Sequence, residues 1–188
     1  MEKQRCLWCG TDPLMVSYHD HEWGRPNHDD RKLFEAVILD GFQAGLSWST
    51  ILRKRENFRK AFDNFDAKKI ACYNANKLNA LMQDEGIIRN RLKVDSSVRN
   101  AKAFLKTQEE FGSFDKYIWQ FTNCKTIHNK WKQQKQIPAS SKESDAMSKD
   151  MKKRGFNFCG TTICYAFMQA TGMVNDHLAD CFCYKEIV

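Results

Sequence analysis

A chain of 188 residues, 42% hydrophobic and 12% aromatic, carries enough apolar material for one well-packed domain. It has no run of about 18 apolar residues, which excludes a membrane-spanning helix, and its opening MEKQRCLWCG lacks the apolar centre of a secretion signal, so the expected compartment is the cytosol. The net charge of +7 favours a polyanion such as nucleic acid, though such a surplus is also ordinary for a solvated surface; in a cytosolic setting the eight cysteines read as free thiols and metal ligands rather than disulfides.

The N-terminal segment RCLWCGTDPLMVSYHDHEWG shows few helix signals. DDRKLFEAVILDG then predicts a helix capped by Asp29 or Asp30, with Leu33, Phe34, Val37 and Ile38 on one face and Gly41 as its stop. SWSTILRKRENFRKAF repeats the pattern through Trp48, Ile51, Leu52, Phe58 and Phe62. NKLNALMQDEG runs from a cap at Asn76 to Gly86, and VRNAKAFLKTQEEFG ends at Gly112. SFDKYIWQF starts at Ser113 with Phe114, Tyr117, Ile118 and Phe121 inward. The polar stretch NCKTIHNKWKQQKQIPASSKES breaks the period and reads as an exposed excursion. A helix from Ser144 to Arg154 follows, then an apolar one capped by Thr161 and stopped by Gly172. No alternation of strand type persists, so the expected class is all-α.

VNDHLADCFC places His177 and Cys181 four residues apart, which on a helix is one turn and one face. Cys6, Cys9, His19 and His21 lie in the N-terminal segment. Two thiolates and two imidazoles suit zinc, and such a site would tie together two ends with little apolar surface of their own. Spacing leaves the choice among Cys6, Cys9 and His19 open, and likewise that between Cys181 and Cys183. The alternative is buried thiols and surface histidines with no metal.

KKRGFNFCGTTICYAFMQATG reads as one helix ending at Gly155, a tight turn, and a second helix opening at Thr161 or Thr162. Gly160 would let a ligand approach the backbone, and the free N–H groups at the second helix start point at an anion; Lys152, Lys153 and Arg154 lie beside it. The alternative is an ordinary corner in a helical bundle.

The strings DPLMVSYHDHEWGRP, LFEAVILDGFQAGLSWSTILRKRENFRKAF, EGIIRNRLKV and SDAMSKDMKKRGFNFCGTTICYAFMQATGMVNDHLADC resemble the 3-methyladenine DNA glycosylase I family over nearly the whole chain. Residues from Asn123 to Lys142 match poorly, as a variable loop does. The resemblance implies an all-α helix-hairpin-helix glycosylase fold in one domain, with a zinc module from about 1–28 and 173–188 around a helical core at about 29–172. It selects Cys6, His19, His177 and Cys181 as ligands of one structural zinc and leaves Cys9 and Cys183 outside. It implies a monomer acting on double-stranded alkylated DNA: the methylated base is flipped out and its N-glycosidic bond hydrolysed, leaving an abasic site. Pocket residues carry over to Trp8, Tyr18, Asp40 and Trp48, and the wedge that fills the vacated stack to Gly45 and Leu46. DNA phosphate contacts carry over to Gly160, Thr161 and Thr162.

A purine methylated at N3 is cationic and already a good leaving group. Aromatic faces attract a cation, and a buried carboxylate can hydrogen-bond the base edge. Two departures matter. Asp40 stands where the family has glutamate, one methylene longer, and Asp40 is also simply the polar end of its helix. Asn175 stands where many other helix-hairpin-helix glycosylases carry a catalytic aspartate, and an amide cannot act as a base. Asp176 reads as a cap for a helix at His177. Competing readings are a lesion-binding protein that has lost its chemistry through Asp40, and a basic RNA-binding module, which would expose its aromatics.

Overall fold

The computed structural model describes residues 3–187. Nine α-helices account for most of it: α1 Pro13–His21, α2 Asp30–Gln43, α3 Trp48–Ala61, α4 Ala67–Ala71, α5 Ala75–Gln83, α6 Arg91–Phe111, α7 Phe114–Trp119, α8 Lys142–Lys153 and α9 Thr161–Ala170. The all-α expectation holds.

The helix starts follow local chemistry. Asp29, Ser47, Asn74, Asn90 and Ser113 each accept a hydrogen bond from a backbone N–H in the first turn of the helix they precede. Ser141 caps α8, with Ser144 returning a bond to its backbone. The N-terminal segment is a correction: α1 begins at Asp12–Pro13, with Asp12 accepting from the Leu14 N–H and Pro13 pre-set for the first turn. Other boundaries move as well: α6 begins at Arg91 rather than within VRNAKAF, α8 at Lys142 rather than Ser144, the cap of α9 is Gly160 rather than Thr161, and α4 has no counterpart among the expected helices. The cap of α5 is Asn74 rather than Asn76 and the helix ends at Gln83, before Gly86. Gly41 does not stop α2, which runs on to Gln43; it is small because a Cβ there would lie 3.3 Å from Phe158 Cβ.

Helices α2, α3, α4, α6 and α7 enclose a phenylalanine-rich core that includes Phe34, Phe42, Phe58, Phe62, Phe104 and Phe114, all at most 3% exposed. Helices α8 and α9 pack on each other and α9 packs on α2, so the hairpin lies against the helix that carries Asp40. A separate small cluster joins Cys6, Leu178, Cys181 and Cys183, and a third joins Tyr18, Trp23 and Leu52.

The terminal segments are laced to the core by backbone bonds, Gly24 N–H to Gln169 O at 3.0 Å and Asn27 N–H to Thr171 O at 3.0 Å. Gly172 is obligatory there: its φ is +74°, and a Cβ would lie 2.3 Å from the Arg25 carbonyl carbon and the Pro26 nitrogen. The polar excursion is largely exposed, as its composition predicts, and it is also anchored. Ile127–His128 forms a two-residue parallel bridge with Val174–Asn175, and Trp131 Nε1 donates to the buried Asp176 at 2.8 Å. The segment is bound to the C-terminal strand rather than set loose in solvent.

Candidate base-binding site and metal centre

A cavity of about 190 Å³ opens where α1, α2, α3 and α9 meet the N-terminal turn. Trp8, Tyr18, Trp23 and Trp48 supply its aromatic walls, with Trp8 and Trp23 ring centres 4.9 Å apart and Tyr18 and Trp48 5.2 Å apart. Trp8 stands in a short 3-10 turn at Leu7–Cys9, beside the ligand candidate Cys6; Trp48 is the first residue of α3, next to its Ser47 cap. Trp48 is therefore half-buried against the core and also on the cavity wall, so core packing and base contact are not alternatives at this position.

Asp40 reaches the same cavity from the last full turn of α2 and is 3% exposed. Its Oδ2 has no hydrogen-bond partner among the described residues, and neither do the indole Nε1 atoms of Trp8 and Trp48, all three being buried. Native proteins rarely leave such groups unpaired, and here three of them line one space. Burial alone raises the Asp40 carboxyl to about 8. Burial also pushes the Tyr18 phenol well above its usual range, with the nearby Asp40 adding to the effect. A larger cleft of about 500 Å³ shares Tyr18, Asp40, Trp48 and Ala170 with this cavity. Two of its arginines are already paired, Arg55 with Glu22 and Arg59 with Glu35, whereas the aromatic cavity holds three orphaned groups and is the stronger site.

The loop after α2 projects next to this cavity. Gly45 has φ +79° with open space where a Cβ would be, so backbone conformation requires glycine there. Leu46 is 39% exposed although apolar. The turn is closed by Leu46 N–H to Gln43 O at 2.7 Å and Gln43 Nε2 to Leu46 O at 3.1 Å. Lys93, 6% exposed, donates from Nζ to Phe42 O at 2.8 Å and Ala44 O at 2.6 Å, satisfying carbonyls at the end of α2.

At the hairpin, Gly160 caps α9 without a side-chain bond, and Thr162 is exposed. Thr161 is half-buried and its hydroxyl is engaged by Ser144 at 2.9 Å and by Asp145. Lys152 and Lys153 are exposed, whereas Arg154 is held by Glu110 and Asp150 and lies over Phe111 and Tyr117. Arg154 is thus a structural residue and not a free cation beside the turn.

Cys6, His19, His177 and Cys181 are all buried, with their ligand atoms within 4.8 Å of one another. Tetrahedral zinc with Zn–S near 2.3 Å and Zn–N near 2.0–2.1 Å gives sulfur–nitrogen edges of about 3.5 Å. The observed separations are 3.5 Å for Cys181 Sγ to His19 Nε2, 3.5 Å for Cys181 Sγ to His177 Nδ1 and 3.6 Å for Cys6 Sγ to His177 Nδ1. The far ring nitrogens are anchored, His19 Nδ1 by Asp20 at 2.8 Å and His177 Nε2 by Trp23 O at 3.0 Å, an arrangement common for metal-bound imidazoles. The donor set fits zinc. Cys9 instead donates to Cys6 O at 3.1 Å, while His21 bonds the Ser17 carbonyl on the exposed side of α1.

Two expectations at the C-terminus are corrected. His177 and Cys181 converge through an irregular turn, not a helix. Asp176 caps nothing; it is fully buried and accepts from Tyr165, Gln169, Asn129 and Trp131. Asn175 is also fully buried, donates to Tyr184 O at 3.1 Å and is not on the cavity wall.

Sequence reasoning missed Trp23, Gln43, Gln134, Ala166, Gln169 and Ala170 on that wall. Gln43 lies three residues after Asp40 and was legible as its neighbour on one helix face. Gln134 comes from the polar excursion and carried no signal at all.

An aromatic cavity with a buried carboxyl, beside an apolar loop tip and a helical hairpin, defines a helical protein built to receive a flat, electron-poor ring. The methyladenine glycosylase family model matches residues 8–184. The chain is 48% identical over 181 residues to DNA-3-methyladenine glycosylase 1 of Escherichia coli (strain K12), covering 96% of this chain and 97% of that protein. It superimposes on a crystal structure of 3-methyladenine DNA glycosylase I with a TM-score of 0.93 at 49% identity, covering 96% of this chain and 99% of that one. A second crystal structure, of a Tyr-to-Phe variant of 3-methyladenine DNA glycosylase I in complex with 3-methyladenine, gives 0.92 at 34% identity over 95% and 96%. The chain belongs to the methyladenine glycosylase family.

Proposed function

We propose that this chain is a monofunctional DNA glycosylase of base excision repair. It takes 3-methyladenine out of alkylated duplex DNA and hydrolyses its N-glycosidic bond, leaving an abasic site. The observation that carries this reading is the orphaned Asp40 carboxyl in a cavity walled by Trp8, Tyr18 and Trp48. A neutral ring gains little from that carboxyl. A cationic N3-methylated purine favours its ionised form and meets the negative faces of the rings. Much of the leaving-group activation is already in the methylated base, so the site needs recognition more than a strong acid. No amine that could act as a strand-cleaving nucleophile lines the cavity among the described residues.

Leu46 at the tip of the Gly45 turn acts as the wedge that holds the gap in the stack, and the backbone N–H groups after Gly160 grip a phosphate with Thr162. Thr161 supports that turn from inside. Cys6, His19, His177 and Cys181 hold one zinc ion, which cross-links the chain ends. Four protein ligands leave no open position, so its role is structural. The enzyme works as a monomer in the cytosol; no helix of the described residues is long and apolar enough to cross a membrane.

Incubation with DNA methylated at adenine N3 tests the reading. Free 3-methyladenine should appear, and the strand should break only on later alkali treatment. Tight binding of that DNA without base release would instead mean that Asp40, shorter than the family glutamate, leaves a lesion-binding protein.

A further inference from the structure

The cavity wall supplied by α9 contains a polar residue to which the proposed mechanism gives no part. Gln169 lies there beside two small neighbours, Ala166 and Ala170. Its amide is not free to turn over. Nε2 donates to Asp176 Oδ2 at 2.8 Å. Asp176 is fully buried, and its two oxygens also accept from the Tyr165 hydroxyl at 2.7 Å, Asn129 Nδ2 at 2.7 Å and Trp131 Nε1 at 2.8 Å. A carboxylate surrounded by four donors accepts from each of them, so only the NH2 end of Gln169 can face it. The other end, Oε1, receives no hydrogen bond from the described residues. Asp176 therefore turns Gln169 into a fixed acceptor on the wall of the cavity that also holds the unpartnered Asp40 Oδ2.

We propose that Gln169 is a specificity-determining residue, whose Oε1 accepts a hydrogen bond from the exocyclic 6-amine of an extruded adenine-type base and so excludes 6-oxo purines. This rests on the glycosylase reading above and extends it to the choice between purines. A 6-amine has two hydrogens to give, so a bond to Asp40 does not exhaust it. A 6-oxo purine presents an oxygen in the same place; two oxygens then face each other in a small aromatic cavity and neither is satisfied, which costs roughly 10- to 100-fold in affinity. Asp176, Asn129 and Trp131 act through Gln169 as positioning residues. That gives the bound polar excursion a function as well as a place.

The test uses purified full-length protein and two free bases, 3-methyladenine and 3-methylhypoxanthine, which differ in the 6-substituent and in the imidazole N–H that accompanies the 6-oxo group. Binding is read from quenching of tryptophan fluorescence. The parent protein should prefer 3-methyladenine by about 10- to 100-fold. Gln169→Met, of similar length but without the acceptor, should bind 3-methyladenine about tenfold more weakly and keep its affinity for 3-methylhypoxanthine, so the preference shrinks to a few-fold. Gln169→Asn withdraws the same oxygen by one methylene and should narrow the preference in the same direction; it decides the question if Gln169→Met does not fold. A residue that merely braces α9 would lower the melting temperature and leave the ratio between the bases unchanged, and that result overturns the proposal. A parent protein that releases no 3-methyladenine from methylated DNA refutes the glycosylase reading itself. A parent that prefers 3-methyladenine, with both variants unchanged, refutes only the role of Gln169.

Discussion

Replacing Asp40 by asparagine should change the pH dependence of stability more than any other single substitution in the cavity. The carboxyl titrates at about 8 in the folded protein against 3.8 for the ordinary side chain, and burial is the cause. Between those two values the folded state holds a proton that the unfolded state has released, so stability falls as pH rises through the window. From the two titration points the loss is about half a kcal/mol at pH 4 and about 4 kcal/mol at pH 7. Asparagine has similar shape and does not titrate, so it escapes this loss. Its own unpaired amide hydrogens cost about 1–3 kcal/mol, but equally at every pH. The difference in stability between variant and parent should therefore move by about 4 kcal/mol in favour of the variant from pH 4 to pH 7. For a chain of this size that is a relative rise in melting temperature of about 8–16 °C. Circular-dichroism melts of both proteins at pH 4, 5, 6 and 7 measure it, and contributions from the cysteine–histidine cluster cancel because both proteins share them. Parallel curves for the two proteins would refute the reasoning: Asp40 would then be ionised in the folded state or reached by solvent. The same variant should lose base release, since its amide cannot become the anion that favours a cationic ring.

Other outcomes follow from the same geometry. Asp40→Ala should impair release of 3-methyladenine from methylated DNA while Asp40→Glu retains or raises it, read by chromatography of the freed base; full activity in Asp40→Ala would sink the role given to Asp40. Below pH 8 the carboxyl must lose its proton to meet a cation, so kcat/KM should climb from pH 6 towards pH 8, by up to about tenfold per unit, and a flat profile speaks against it. Freshly purified protein should contain one zinc per chain by elemental analysis, and Cys181→Ser should lower the melting temperature by more than about 10 °C. Lys93→Met removes the donor to Phe42 O and Ala44 O; base release from duplex DNA should slow by about tenfold, while quenching by free 3-methyladenine stays within about twofold, because the loop moves and the cavity does not.

The class of the protein and most of its elements were legible before any coordinates. Caps such as Asp29 and Ser113, and the 3.6-residue period of the apolar positions, act over one or two turns and are written locally. Metal-ligand chemistry was legible in type, since Cys6, His19, His177 and Cys181 are among the soft donors at the two ends, beside Cys9, His21 and Cys183. Their partnership was not: residues 171 positions apart meet only because Gly24, Asn27 and Gly172 stitch the termini to the core. Asp176 shows the same divide. In the chain it is one more polar residue before His177, and only folding brings four donors from α9 and the polar excursion around it. The sequence by itself determined most of the helices, the donor types and the family. The tertiary structure alone decided which carboxyl is starved of partners and which is saturated, because hydrogen-bond satisfaction and desolvation depend on neighbours distant in the chain.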